Sequence, residues 1–414
     1  MLRRSTSARN IPCLSAHARV VSRRSMPLKT DTFASTIDAE PLHRYKWGGY
    51  HPVQLGTLLH SGRYKILHKL GWGGYSTVWA ARDRSYVAIK ISISERRNDE
   101  HNQEYRAMKT LASLKKNSHL MGMLDEFDVE GPNGKHKCLV LELLGPCVPD
   151  VIESRYPDGR LPGHLAKTIA EQSLRGLKIL HEQGIAHGDL HVRNLSVILP
   201  FPVDDMSEEV FIDMLGKPKV GLVQKVGGQP VEPGMPQYIV QSATYSKIPL
   251  KSLRGIKIVD FGQSFLPAFA PRTLRTPLAV RPPEVLFSDP LDFRVDLWSM
   301  GCMLFELFVG QSPFDGPPST PEVLVEQMRE TAGDELPERW RGLIKEGSET
   351  NTAGSSLQSW LEETYFDNER KSDLTKEDIG VLGGLIARLL YFEPSRRAPA
   401  SEILRDGWFR AGGT

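Results

Sequence analysis

The sequence predicts an α+β fold of two lobes, a small β-rich one followed by a larger, mostly α-helical one. Three observations lead there. Residues 64–144 are mostly short alternating or apolar runs broken by glycine and polar turns, the pattern of an antiparallel meander. After Pro146 the apolar residues recur at helical spacing instead. At 414 residues, 40% hydrophobic and 25% charged, the chain has the length for two or three packed units and the composition to bury a sizeable core.

Taken in order, the first 30 residues hold seven basic residues (Arg3, Arg4, Arg9, Arg19, Arg23, Arg24, Lys29) and no acid. They are read apart from the fold, either as a mitochondrial import segment, whose composition they share, or as a plain basic tail. Residues 1–40 as a whole are expected to be disordered. Residues 41–63 are read as an ordered lead-in around the cluster YKWGGY, Tyr45 to Tyr50. From Tyr64, the runs YKILHKL, VWAARD and SYVAIKI read as three strands. Tyr105, Met108, Leu111 and Ala112 place a helix over 102–114, and 137–144 is a further strand, which completes a first lobe at 64–144. In the second lobe, 145–410, Leu165, Ile169, Leu174, Leu177 and Leu180 mark a long amphipathic helix stopped by Gln183-Gly184. Residues 294–309 are apolar nearly all round, hence a buried central helix, and 381–392 form another. The stretch 200–254, rich in Pro, Gly and Val, is too long for a plain loop and is read as an insertion. Within it, Asp205-Met206-Ser207-Glu208 has the form of a capping box opening a short helix that stops at Gly216.

Charge and composition exclude several function classes. The net charge of +2 conceals an uneven distribution, because without the first 30 residues the chain carries 45 basic against 50 acidic residues. No basic stripe with aromatic stacking residues appears in that remainder, which argues against direct nucleic-acid binding. The apolar stretches around 138–144 and 298–309 fall short of the ~18 uninterrupted residues that a membrane span needs. Cys13, Cys138, Cys147 and Cys302 have no C-x-x-C spacing, against both a disulfide framework and a zinc site.

Four segments carry chemistry. Gly71-Trp72-Gly73-Gly74-Tyr75-Ser76-Thr77-Val78 lies between two strands, where glycines let backbone N–H groups approach a phosphate chain and Val78 can cover a purine ring. Alone, it reads more often as just a tight hairpin turn. Twelve residues beyond Val78, Lys90 closes Val87-Ala88-Ile89-Lys90 on the third strand; Glu104, in the candidate helix, is the counter-ion such a half-buried ammonium needs. His187-Gly188-Asp189-Leu190-His191-Val192-Arg193-Asn194 puts a proton-accepting Asp189 and a metal-ligating Asn194 on one short loop. Val259-Asp260-Phe261-Gly262 then adds Asp260 as a second metal ligand after a strand. Mg²⁺ uses few carboxylates together with phosphate oxygens, so Asn194 and Asp260 suffice beside ATP.

In this order and these contexts, the segments make residues 60–410 resemble the eukaryotic protein kinases. Arg281-Pro282-Pro283-Glu284 is similar to the end of that family's activation segment, Asp296 to Gly301 to the start of its central helix, and Arg397 to the arginine that pairs with the motif's Glu, here Glu284. Within the family the chain looks most like the SR-protein kinases of the CMGC group, which phosphorylate Arg/Ser-rich splicing factors. Gly48-Gly49-Tyr50-His51-Pro52-Val53, Lys69 to Gly73, Ser76 in place of a third glycine, and the insertion carry that likeness. The resemblance implies a two-lobed kinase fold and a non-specific serine/threonine protein kinase using ATP and Mg²⁺. It implies catalytic Asp189, Lys90, Glu104, Asn194 and His191, and metal ligands Asn194 and Asp260. The nucleotide would meet Leu70, Gly71, Trp72, Gly73, Gly74, Tyr75, Ser76, Val78, Ala88 and Lys90. Backbone atoms of Glu142 to Leu144 would meet the adenine, with Leu141 behind it. The partner would be a protein substrate, Arg/Ser-rich by the subfamily likeness. The enzyme would be monomeric and intracellular, in nucleus and cytoplasm, with mitochondria as the alternative raised by the N-terminus.

Two departures bear on this. His191 stands where Ser/Thr kinases usually place a Lys at the γ-phosphate; losing one pre-organised donor costs on the order of 10²-fold in rate. Gly188 replaces an Arg that in many kinases requires activation-loop phosphorylation, which implies activity without that switch, although Thr273 and Thr276 remain candidates for modification. Residues 311–370 carry thirteen acids against five bases, which suits a basic peptide and equally suits solvated helix faces. A pseudokinase scaffold and a small-molecule phosphotransferase are the competing readings.

Overall fold

The computed structural model describes residues 33–94, 99–114, 118–225, 231–248, 254–314, 320–342, 356–367 and 370–410. The Arg-rich first 30 residues and parts of the expected insertion, 226–230 and 249–253, lie outside them. The strands are β1 (Phe33–Ala34), β2 (Leu58–Leu59), β3 (Tyr64–Gly73), β4 (Ser76–Arg82), β5 (Tyr86–Ser92), β6 (Met123–Gly131), β7 (Gly134–Glu142), β8 (Leu195–Val197), β9 (Val220–Leu222), β10 (Gln224–Lys225), β11 (Tyr238–Val240) and β12 (Ile256–Ile258). The helices are α1 (Asp99–Ala112), α2 (Val148–Arg155), α3 (Gly163–Glu182), α4 (Glu208–Leu215), α5 (Pro283–Leu286), α6 (Val295–Val309), α7 (Pro321–Thr331), α8 (Glu338–Arg341), α9 (Leu357–Tyr365), α10 (Lys376–Ala387) and α11 (Ala400–Ile403). The α+β architecture of a sheet-rich first lobe and a helical second lobe is as the sequence predicts.

The first lobe is an antiparallel sheet of order β2-β3-β4-β5-β7-β6. Register sorts its side chains onto two faces, since residues opposite one another share a face and neighbours along a strand alternate. Val78, Lys90 and Leu139 stand in one row, and Ala80, Ala88 and Leu141 in the next. This face joins the large core that includes Met108 and Leu111 of α1 and the helices of the second lobe. The opposite face, with Trp79, Val87, Ile89, Ile91 and Val140, packs with Val53, Leu59, Phe127 and Val240. Sequence reading missed β6, because Asp125, Glu126, Asp128 and Glu130 break its pattern; it is an edge strand, where charged side chains are ordinary.

The second lobe is organised around α6, whose residues are all buried except Glu306. α3 packs on it and ends where expected, at Gly184 with φ 68°. α10 begins at Lys376, five residues before the expected start, because Thr375 and Asp378 form a full capping box; it stops at Ala387. α4 ends at Gly216 as expected, but its cap is Ser207, whose hydroxyl accepts the Val210 amide, rather than Asp205. Among the described residues no helix is long and apolar enough to cross a membrane.

The lead-in and the insertion pack together on the first lobe. Tyr45, Tyr50, Val223, Met235 and Ile239 share a small core, and β1 pairs with β10. Order therefore begins before residue 41: Glu40 is 2% exposed and forms an ion pair with the fully buried Lys69 of β3, while Tyr45 O–H donates to the same carboxylate. The polar run around Glu40 has no periodicity of its own, so only the tertiary contact reveals it.

Candidate active site

Lys90 occupies the cleft-facing row of the sheet and is 7% exposed. Its Nζ donates to Glu104 Oε1 of α1 at 2.5 Å and to Asp260 Oδ1 at 2.8 Å. Burial opposes the charged ammonium, but the two carboxylates outweigh it and raise the pKa above the ordinary lysine value. In turn the Lys90 ammonium holds the Asp260 carboxyl well below the usual carboxylate range. Asp260 itself sits in the left-handed backbone region at φ 61°, with its side chain half exposed to the cleft and its Oδ1 also accepting the Gly262 amide at 3.2 Å. A non-glycine residue held there marks a constrained position.

The loop carrying Asp189 is clamped from below. Asp296, at the start of α6 and 1% exposed, accepts the amides of His187 at 2.7 Å and Gly188 at 2.8 Å, and lies 3.1 Å from His181 Nε2. His187 Nε2 reaches Val259 O at 3.0 Å, which ties this loop to the strand leading into Asp260. Gly188 has φ 76°, and a Cβ there would collide with the Gln263 carbonyl oxygen, so the position excludes a side chain. Asn194 Nδ2 donates to Asp189 O at 2.8 Å, which turns the amide oxygen outward as an acceptor. His191 Nε2 lies 3.3 Å from Asn194 Nδ2 and 3.7 Å from Asp189 Oδ1. Asp189 Oδ1 is shielded from solvent yet takes no hydrogen bond, a costly state for a carboxylate unless a donor or cation completes it.

The glycine-rich hairpin closes the cleft from above. Gly71 and Gly73 lie within β3, opposite Val78 and Ser76, and the turn itself is Gly74-Tyr75. A Cβ at Gly71 or Gly73 would meet nothing, so the open space there fits a phosphate chain rather than the protein's own packing. Trp72 departs from expectation: in register with Thr77, it turns its side chain to the opposite face from Val78 and is 40% exposed. Tyr75 is likewise engaged by the protein, its ring met by the guanidinium groups of Arg44 at 5.6 Å and Arg275 at 4.4 Å. Tyr50 O–H donates to Gly73 O at 2.8 Å.

Ala88 and Leu141 face each other across the sheet at the back of the cleft, with Leu70 and Val78 half-buried near its mouth. At the strand's end the expected run of adenine contacts is narrower than the sequence implies. The Glu142 amide donates to Gly122 O, and its side chain pairs with Lys257 at 2.6 Å. Tyr245 of the insertion donates to Leu144 O at 3.5 Å. The Leu144 amide, buried, has no acceptor among the described residues, and it suits a purine ring nitrogen.

The segment from Asp260 to Glu284 is held without a phosphate. Gln103 of α1 donates to Phe269 O at 3.0 Å, Arg281 donates to Thr276 O at 2.6 Å, and Ser299 donates to Val280 O at 2.9 Å. Glu284 and Arg397 form the expected buried bidentate pair at 2.6 and 2.7 Å. Thr276 is 1% exposed, which removes it as a ready modification site, whereas Thr273 is exposed. Sequence reading missed Asp296 as the clamp and Arg44 and Arg275 as the partners of Tyr75. A buried acid at a helix start signals the first; nothing local signals the other two.

Among the described residues no three His, Cys, Asp or Glu side chains converge on one point, so a divalent ion beside Asn194 and Asp260 would take most of its ligands from phosphate and water. The model of the protein kinase domain family matches residues 64–198 and 248–409. A serine/threonine protein kinase of Aspergillus fumigatus is 28% identical over 413 residues, covering 91% of this chain and 92% of the relative. The serine/threonine-protein kinase SRPK of Physarum polycephalum is 29% identical over 398 residues, 87% of this chain and 88% of the relative. The human SRSF protein kinase 3 is 34% identical over 161 residues, 36% of this chain and 28% of the relative.

Proposed function

The chain belongs to the protein kinase family and is a serine/threonine kinase of SR-protein-kinase-like character; from that premise we propose which residues perform the transfer of the ATP γ-phosphoryl group and on what substrate. One observation carries the assignment: Lys90, Glu104 and Asp260 make one hydrogen-bonded set across the cleft from Asp189 and Asn194. Lys90 holds the α- and β-phosphates, kept charged by its two carboxylates. Asp189 Oδ1 accepts the hydrogen bond of the incoming serine or threonine hydroxyl and takes its proton. Asn194, through the amide oxygen left outward, and Asp260 hold Mg²⁺, which when bound supplies charge neutralisation at the phosphoryl oxygens. His191, beside Asp189 and Asn194, stands at the acceptor's side of the transferred group. Leu70, Val78, Ala88 and Leu141 enclose the adenine.

For the substrate, the reading is an Arg/Ser-rich protein. Residues 311–370 carry eight more acids than bases. A cavity of about 350 Å³ in this part of the second lobe is bordered by Glu330, Gln327 and Trp360, and Gln327 Oε1 is buried without a donor. A carboxylate, an unsatisfied amide oxygen and an aromatic face together suit a guanidinium group. The tied-down segment from Asp260 to Glu284 and the side-chain-free Gly188 support activity without prior phosphorylation. Nucleus and cytoplasm remain the proposed location, with mitochondrial import tested by a reporter fused with and without residues 1–29.

The test is transfer from ATP-Mg²⁺ to an Arg-Ser-repeat peptide and to a general basic protein, with Asp189→Asn as control. Transfer to the repeat peptide that vanishes in the control is the expected result. Transfer to the general substrate alone would discard the Arg/Ser preference, and no transfer to either with nucleotide still bound would leave a scaffold.

A further inference from the structure

A second cavity, of about 320 Å³, opens where the insertion meets β3, and none of the residues of phosphoryl transfer lines it. Gly216, the residue that caps the end of α4, is among its lining residues. A Cβ at Gly216 would lie 2.8 Å from Thr244 Oγ1 and 3.8 Å from Ser246 Oγ, so both hydroxyls converge on this point. Lys217 and Lys219 follow directly in the chain, line the same cavity and are exposed. Among the described residues neither makes an ion pair, and no carboxylate lines the cavity; the nearby Asp213 is spent on Lys247 at 2.5 Å.

The floor adds an independent observation. His68 of β3 is 2% exposed, and each of its ring nitrogens lies 2.8 Å from a carbonyl oxygen, Nδ1 from Lys69 O and Nε2 from Gly216 O. Neutral imidazole has one N–H, so only imidazolium donates to both. Burial nevertheless pushes the His68 pKa down, against the pull of those two carbonyls. An anion in the cavity would reconcile the two. The C-terminal carbonyls of α4 would repel an anion if bare. They are capped: Leu215 O accepts the amides of Thr244 and Tyr245, and Gly216 O faces His68.

We propose that this cavity binds a phosphate group, held by Lys217 and Lys219 with hydrogen bonds from Thr244 and Ser246 over the buried His68. Its size suits a phosphate monoester. The phosphate has two sources: a free phosphorylated small molecule, or a phosphoryl group carried on Thr244 or Ser246 itself, where the lysines would pair with it. Either one would fasten the insertion to β3 next to the nucleotide, because the Ala243 amide also donates to Lys69 O, one residue before Leu70.

The probe for the free form is inorganic phosphate, titrated into the full chain at constant ionic strength, with a non-hydrolysable ATP analogue and Mg²⁺ filling the cleft. The readout is the rise in Tm over chloride of equal ionic strength. A saturable rise is expected for the parent, weakened about tenfold in apparent affinity in Lys217→Gln/Lys219→Gln, given about 0.7 kcal/mol for each solvent-exposed ion pair. For the carried form, the protein is incubated with ATP-Mg²⁺ or with a second kinase and mapped by mass. A phosphoryl group on Thr244 or Ser246 that raises Tm in the parent and not in the double lysine variant supports the site, and such protein should no longer respond to phosphate. Equal responses of parent and lysine variant in both arms, or no response of the parent in either, would overturn the proposal. The phosphate titration and the second-kinase arm require no turnover by this chain, so they stand or fall apart from the reading of the active site.

Discussion

The two faces of the first-lobe sheet each bury a lysine against a glutamate, with different results. On the cleft face Lys90 meets Glu104 and Asp260 and is held charged above its ordinary pKa. On the outer face Lys69 meets Glu40 of the lead-in and is wholly buried, and desolvation pushes it down to about 7. One ammonium has two carboxylates and a cleft open to phosphate; the other has one carboxylate and no exposed surface. An ion pair is functional where its charge is kept available to a third party, and structural where the fold closes around it.

Removing each lysine breaks the comparison most directly. Lys90→Met should lower kcat/KM for peptide phosphorylation by about 10³-fold per folded molecule, roughly 4 kcal/mol of transition-state stabilisation, beyond the loss of stability that comes from stranding the buried Glu104. Steady-state kinetics beside a thermal melt would check this, and a loss confined to stability would put Lys90 in the structural class. Lys69→Met should do the reverse. It strands Glu40 in the interior and should cost about 3 kcal/mol of stability in denaturant unfolding, with activity per folded molecule preserved; adding Glu40→Gln should recover much of the loss.

A pH titration sharpens the outer face. His51 of the lead-in packs at 4.9 Å between ring centroids against the buried His136 of β7, and burial, helped by that neighbour, lowers the His51 pKa to about 4. The unfolded chain therefore takes up a proton as pH falls through about 6.5 while the folded chain does not until about 4. Stability is full above that window and should fall across it by up to about 3 kcal/mol. Urea melts at several pH values would show the slope, and His51→Gln should flatten it. The smallest effect belongs to the cleft: Arg275→Ala removes one cation from the ring of Tyr75 and should raise the KM for ATP by about threefold, without changing its stability.

The legible parts of the molecule share a property. Lys90, Asp189, Asn194 and Asp260 could be named because phosphoryl transfer requires particular residue types at short spacings within a strand or loop. Glu104 could be named because a helix follows that strand. The long helices α3 and α6 showed because their apolar spacing is local. Edge strand β6 did not, since Asp125, Glu126, Asp128 and Glu130 interrupt its apolar pattern. Asp296 was visible only as a helix start, and its grip on the His187 and Gly188 amides depends on a partner more than a hundred residues away. The roles expected of Trp72 and of the Glu142 amide shifted for the same reason: strand register and a hydrogen bond to Gly122 dispose of them.

The sequence by itself determined the two-lobed α+β class, the order of its main elements and the set of groups that could do the chemistry, because each rests on contacts within a few residues. Tertiary structure alone decided that Glu40 closes over Lys69, that Tyr75 meets both Arg44 and Arg275, and that the insertion and lead-in share one core over the outer sheet face. It also brought Lys217, Lys219, Thr244 and Ser246 to one cavity. Those contacts join segments far apart in the chain, and their energy comes from burial and charge pairing that no local pattern encodes.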